Sequence, residues 1–320
     1  MADLRTTLCG IELKNPVIAA SGTFGYGGEF ASQAALDRIG AIVVKGLSRE
    51  PIRGNASPRV TETAAGMLNA IGLQNVGVKA FVAEKLPLLG ESGVPVFANV
   101  FGYDLADYVE VLSVLEDAEG LAAYELNVSC PNTKHGGLEF GAHAGELSRA
   151  VEAARAVAKR RPLLVKLSPN VTDIGEMARA AVEAGADGLS LINTLRGLAV
   201  DARRRRPVLS TGSGGLSGPA IKPVALHMVH QVSQSVDVPI IGIGGVATAE
   251  DIVEFLLCGA TAVQVGTASF WDPARVADLP AELAAFLGHR TLAMVQRYSH
   301  LTEPHSAAVA ERMAERFLGG

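Results

Sequence analysis

The chain has 320 residues, a formal net charge of −5, 48% apolar residues and only 5% aromatics. That length suits one large aliphatic core, and the acidic balance argues against a nucleic-acid-binding surface. No basic region followed by an apolar run opens the chain, no apolar run reaches membrane-spanning length, and the three cysteines are too scattered for a disulfide framework or a zinc site, so the sequence reads as soluble and cytoplasmic.

Short runs rich in β-branched residues recur along the chain, each with Gly, Ser, Asn or Cys at its close. In order they are VIAASG (17–22), AIVVKG (41–46), VFANVFG (96–102) and YELNVSC (124–130), then LLVKLSP (163–169), GLSLINT (188–194), PIIGIGG (239–245) and AVQVGTA (262–268). Several are almost continuously apolar, as parallel strands covered on both faces must be. Helix-period segments lie between them, for example 144–160 and 173–186. Eight such runs, with no GxGxxG turn after the first, predict a closed (β/α)8 TIM barrel rather than an open doubly wound sheet.

Two connections, 48–95 and 195–239, are long enough to be functional and leave strand ends on the side where barrel active sites lie, so they are expected as walls over the mouth. The second contains TGSGGLSG (211–218), read as a turn cluster able to approach a phosphate. The run Arg203 to Arg206 is expected as a solvated loop.

Strand ends converge in a barrel, which gathers Ser21, Lys45, Asn99, Asn127, Cys130, Lys166, Asn193, Thr194, Gly244, Gly245, Gly266 and Thr267 at one mouth. No carboxylate falls in this set and no His/Asp/Glu cluster has metal-ligand spacing, which argues against glycoside hydrolysis and metal hydrolysis. Amides offer donor and acceptor together and can read a flat heterocycle, while lysines hold negative charge beside it. The glycines after the seventh and eighth runs are either tight βα turns or a phosphate site built from backbone N–H groups. A phosphate-bearing cofactor then lies under the amides and lysines. FMN fits, whereas pyridoxal phosphate wants an acid or arginine at its ring nitrogen that is not obvious here. Cys130, beside Gly136 and Gly137, can act as general base or nucleophile, while Cys9 and Cys258 read as packing cysteines.

ELNVSCPN (125–132), NTLRGLAVD (193–201), GGLSGPAIKPVAL (214–226), PIIGIGG and AVQVGTA together resemble class 1 dihydroorotate dehydrogenase. SGTFGYG (21–27) and NAIGLQN (69–75) most resemble its 1B branch, and the likeness runs from about Leu8 to Pro273. The resemblance implies FMN contacts from Ser21, Lys45, Gly46, Asn99, Asn127, Lys166, Ile192, Gly218, Gly244, Gly245, Gly266 and Thr267. It implies that dihydroorotate or orotate is held by Lys45, Asn69, Ala70, Ile71, Gly72, Leu73, Asn127, Asn132, Asn193 and Thr194, with no metal. Cys130 would be the base that takes the C5 proton while hydride passes from C6 to flavin N5. The implied assembly is a homodimer core joined to an FAD and iron–sulfur electron-transfer subunit that reduces NAD, a heterotetramer without nucleic acid or membrane.

The alternatives are a related FMN barrel acting on another pyrimidine, as in dihydropyrimidine dehydrogenase, and a fumarate-using class 1A enzyme. A non-catalytic scaffold barrel is the rival from another class. The sequence divides into a flavin-binding barrel over 1–280 and an atypical helical tail over 281–320. From about Leu287 that tail resembles the C-terminal end of a tyrosine recombinase, with His289 and Tyr298 at the last catalytic histidine and the nucleophile. The charge-stabilising arginines of such a site have no counterpart here, so a fused remnant is expected rather than a second activity.

Overall fold

A computed structural model describes residues 2–27, 36–128, 140–288 and 291–292. Eight parallel strands close into a barrel in chain order: Val17–Ala19 (β1), Ala41–Val43 (β2), Val96–Val100 (β3), Ala123–Asn127 (β4), Leu163–Lys166 (β5), Gly188–Leu191 (β6), Ile240–Ile243 (β7) and Ala262–Val265 (β8). These are the eight apolar runs of the sequence. Most carry buried residues at every position, because helices cover the outside while side chains fill the inside.

The two-residue period of a strand sorts the side chains. Outward residues such as Ile42, Val100, Tyr124, Leu126, Val165 and Val263 pack under the helices. Inward residues at the lower end, among them Ile18, Val43, Phe97, Ala123, Leu164 and Ile241, form a separate apolar cluster. The hairpin Thr6–Leu8/Ile11–Leu13 closes that end by inserting Leu8 and Leu13. One step higher the inward positions become polar. Asn99 pairs with Glu125 across β3 and β4, and Asn127 pairs with Lys166 across β4 and β5. The register thus sets the barrel's polar end at its C-terminal mouth.

Helices start where the sequence provides caps. The Asp173 carboxylate accepts from the N–H groups of Gly175 and Glu176 before Ile174–Glu183, and Thr248 with Asp251 forms a capping box before Ala249–Leu257. Arg161, buried, donates to the carbonyls of Leu115, Ala118 and Leu121 and to the Tyr124 hydroxyl, which satisfies the C-terminal turn of Leu105–Asp117.

The two long connections join into one four-stranded antiparallel sheet over the mouth, in the order Leu195–Leu198, Ser213–Ser217, Gly66–Asn69, Val60–Thr63. This corrects the reading of 211–218 as a turn cluster, since most of it is a strand. Its glycines serve close approach: a Cβ on Gly214 would stand 2.5 Å from the Asn69 carbonyl oxygen. Arg203 to Arg206 form the exposed end of the hairpin Val200–Asp201/Arg206–Pro207, where the Asp201 carboxylate accepts from the N–H groups of Arg203 and Arg204. The last described helix, Arg275–Leu287, runs through the boundary expected at 280 and buries Val276, Leu279, Leu283 and Leu287 against the barrel.

Candidate functional site

A cavity of about 560 Å³ opens at the C-terminal mouth between the strand ends and the antiparallel sheet. Every residue expected to touch the cofactor lines it: Ser21, Lys45, Gly46, Asn99, Asn127, Lys166, Ile192, Gly218, Gly244, Gly245, Gly266 and Thr267. Of those expected to touch substrate, Asn69, Ile71, Gly72, Leu73, Asn193 and Thr194 line it as well. Ala70 does not. It is fully buried behind the wall, where its N–H donates to the Arg59 carbonyl. Cys130 and Asn132 lie outside the described residues.

Each wall has its own chemistry. On one side the amides are tied to one another: the Asn193 side chain donates to Asn127 Oδ1 at 3.4 Å and accepts from the Thr194 N–H at 2.8 Å. The Tyr108 hydroxyl holds the Asn127 carbonyl at 2.9 Å from behind. Facing them is the loop 69–75, held by a residue outside the expected set. Asn75 is buried, donates to Ser48 Oγ and to the Leu73 carbonyl, and accepts from the Gly77 N–H. Leu73 sits there with φ 57°, a conformation that needs such support.

Gly218, Gly244 and Gly245, which also line the cavity, have φ of 95°, 130° and 77°. A Cβ on Gly244 would come within 2.8 Å of the Ala225 Cβ, and one on Gly245 within 2.8 Å of the Lys222 Cβ and 3.0 Å of the Gly218 carbonyl oxygen. These contacts are what tight turns packed against a neighbouring helix require. Thr267 donates to Ser217 Oγ at 2.8 Å, which ties the end of β8 to the mouth sheet. Sequence reasoning missed Ser217, as it missed Arg59, Glu62, Met67 and Gln74, all on the two connections that become the sheet and its flanking loops.

The largest omission is Glu125. The strand-end set held no carboxylate, yet one lies directly beneath it, fully buried on β4. Its oxygens accept from Asn99 Nδ2 at 2.6 Å, Gln264 Nε2 at 2.6 Å and Ser190 Oγ at 2.9 Å, and Lys166 Nζ stands 3.7 Å away. Lys166 also donates to Ser21 Oγ at 3.2 Å. The signal that could have found it is the strand period, since Glu125 stands two residues before Asn127 and so faces the same way.

The two other cysteines sit away from the cavity. Burial, with the Asp187 charge second, pushes the Cys9 thiol up to about 12, and burial raises that of Cys258 as well. Both are poor nucleophiles in this fold. Among the described residues no group of His, Cys, Asp and Glu is placed to hold a metal, and no helix is long and apolar enough to cross a membrane.

Comparison with known proteins bears on this cavity. The dihydroorotate dehydrogenase family model matches residues 3–287. The chain belongs to the dihydroorotate dehydrogenase family. It is 61% identical over 284 residues to a protein of Solibacter usitatus named putative dihydroorotate dehydrogenase A (fumarate), covering 89% of this chain and 93% of the relative. It is 56% identical over 283 residues to the catalytic subunit of dihydroorotate dehydrogenase B (NAD(+)) of Trichlorobacter lovleyi, covering 88% and 93%. The same subunit of Geotalea uraniireducens is 53% identical over 294 residues, covering 92% and 96%. As a member of that family the chain is an oxidoreductase.

Proposed function

We propose that the chain is the FMN-containing catalytic subunit of a class 1B dihydroorotate dehydrogenase of the cytoplasm. It oxidises dihydroorotate to orotate in pyrimidine biosynthesis and passes the electrons to NAD through an FAD and iron–sulfur partner subunit, in a heterotetramer built on a homodimer. The observation that carries this reading is one cavity lined together by positive-φ glycines, lysines and amides.

The residues present fit FMN. A phosphate needs close backbone approach, and the positive-φ glycines 218, 244 and 245 line the cavity with backbone while the side where a Cβ would stand is packed against Gly66, Ala225 and Lys222. A flat ring needs edge-on donors and acceptors and a cation near the end that gains charge on reduction, and Asn99, Lys45 and Lys166 supply them. The volume lies in the range of small-molecule sites.

FMN, when bound, supplies the acceptor for a hydride from C6 of dihydroorotate. The chain's own residues do the rest. Lys45 and the loop 69–73 hold the substrate carboxylate, and Asn127, Asn193 and Thr194, with Asn132, orient the pyrimidine ring. Cys130 removes the C5 proton as a thiolate, so that loss of that proton and of the C6 hydride leaves a C5–C6 double bond. Cys130 is three residues past Asn127, so at most about 11 Å of chain separates it from the amide wall, within reach of the substrate face. The tail resembling a recombinase end, with His289 and Tyr298 outside the described residues, is a remnant without a second activity.

Anaerobic addition of dihydroorotate to the purified yellow protein should bleach its flavin band. A protein that binds no FMN, or whose flavin dihydroorotate leaves oxidised, would sink the reading. The name of the Solibacter relative favours a second reading, in which fumarate is the acceptor. Reoxidation of the bleached chain by fumarate alone would select it, whereas NAD reduction only in the presence of the partner selects the first.

A further inference from the structure

Glu125 is the one carboxylate inside the barrel among the described residues, and packing gives no reason for it. The inward layer beneath it is apolar, and burying an ion pair seldom adds stability over an apolar filling. Its oxygens can only accept. Asn99 must therefore turn its NH2 group down toward Glu125, at 2.6 Å, and this fixes the amide's orientation. The Asn99 carbonyl oxygen is left on the side of Gly46, where a Cβ would stand 2.9 Å from it, and both residues line the cavity. Lys166, whose side chain is 7% exposed, stands 3.7 Å from the same carboxylate. In so dry a setting the field that Lys166 projects into the cavity depends on how much of its charge Glu125 cancels.

We propose that Glu125 is a positioning residue for the flavin: it makes Asn99 present an acceptor to the ring, and it sets the flavin's potential by partly neutralising Lys166. This rests on the reading of the cavity as an FMN site. The isoalloxazine ring carries one N–H, at N3, between two carbonyls. An acceptor held in place selects that N–H, whereas a freely flipping amide would not. The negative charge that builds on the ring when it takes two electrons is favoured by Lys166 and opposed by Glu125. Ser190 and Gln264 draw off part of the carboxylate's charge through their hydrogen bonds at 2.9 and 2.6 Å, so they tune the same balance from below.

The test compares the parent, Glu125→Gln and Ser190→Ala. Each apoprotein is titrated with FMN and with its N3-methyl analogue, each holoprotein is equilibrated with redox dyes to obtain its potential, and apoprotein melting checks the fold. The parent should prefer FMN by about tenfold or more, the worth of one buried hydrogen bond. Glu125→Gln can donate as well as accept, so Asn99 can reverse; most of the preference should vanish and the potential should rise. Ser190→Ala keeps the charge but removes a donor from it, so the potential should fall with the preference intact. The opposite signs separate this role from simple loosening, which would move both variants the same way and overturn the proposal. A Glu125→Gln protein matching the parent in preference and potential would also overturn it. If Glu125→Gln fails to fold, Ser190→Ala decides, and an unchanged potential there counts against the proposal. A parent that binds no FMN overturns the flavin reading and this inference with it.

Discussion

Thr194 occupies the space that a side chain on Gly215 would need: a Cβ there would come within 2.7 Å of the Thr194 Cβ and clash with its hydroxyl. Gly215 pairs with Arg196 on one side and with Asn69 on the other, so it is the point where the two long connections meet above the amide wall. Gly215→Ala should push the mouth sheet and Thr194 apart, at a cost of about 1–3 kcal/mol for overpacking. The KM for dihydroorotate should rise by about tenfold while FMN content stays at the parent level, because the nearest atoms to the new Cβ all belong to Thr194, on the expected substrate wall, and none to the glycines 218, 244 and 245. Flavin absorbance of the purified variant and steady-state kinetics check both statements. Loss of FMN without a change in KM would show that the sheet guards the cofactor and not the substrate.

The barrel itself was legible because its strands are short apolar runs, and a strand covered on both faces has almost no other composition open to it. Val96–Val100 and Ile240–Ile243 are examples, each buried at every position. The mouth sheet was not legible. Val60–Thr63 is half-exposed and Ser213–Ser217 is made of Ser, Gly and Leu, so neither shows strand chemistry, and only cross-chain pairing makes them strands. The site residues at strand ends could be gathered in advance because barrel topology converges them. The bonding partners of Glu125 and Asn75 could not, since they lie 26 to 139 residues and 27 residues away in the chain.

The proposed base can be separated from the other thiols. Cys130→Ala should retain FMN and slow flavin reduction by dihydroorotate by about 10² to 10⁴, the usual contribution of a positioned base. Cys130→Ser should keep a little activity, shifted to higher pH because a hydroxyl is the weaker acid. Burial holds the Cys9 thiol near 12 and raises that of Cys258, so iodoacetamide at pH 8 should label both slowly in the native protein. Peptide mapping should find Cys130 alkylated first, with dihydroorotate protecting it. Parent-rate flavin reduction by Cys130→Ala would remove the base assignment.

Acid should expose a weak point at the start of Ala249–Leu257. Burial opposes ionisation of Asp251, but Lys222 at 2.6 Å and the N–H groups of Ala247 and Thr248 outweigh it and hold the carboxyl below its ordinary value of 3.8. As pH falls, the unfolded chain therefore takes up this proton first. The stabilisation is present above the ordinary carboxyl range and drains away as pH falls through the lower, folded value. Asp251→Asn should lower the urea midpoint at pH 6 and flatten its decline between pH 5 and 3. Since Lys222 packs against Gly245, FMN should also bind less tightly. Parallel pH profiles for parent and variant would show that Asp251 contributes nothing in this window.

The end of the chain can be divided by what it buries. Among the described residues, all those lining the cavity lie at or before Trp271, and none of 272–288 touches it. Helix Arg275–Leu287 is nonetheless part of the barrel's wall, with Val276, Leu279 and Leu283 fully buried and Arg275 bonded to the Ala247 carbonyl at 2.7 Å. Leu292 is buried as well. A chain ending after Leu292 should bind FMN and be reduced by dihydroorotate as the parent is. One ending after Gly288 should do the same but melt a few degrees lower, since burying one leucine contributes about 2 kcal/mol. One ending after Trp271 should not fold. Tyr298→Phe should leave flavin reduction unchanged, and the parent should form no covalent adduct with nicked DNA, because a lone tyrosine lacks groups to stabilise the charge of phosphoryl transfer. A labelled adduct present in the parent and absent in Tyr298→Phe would give the tail an activity of its own.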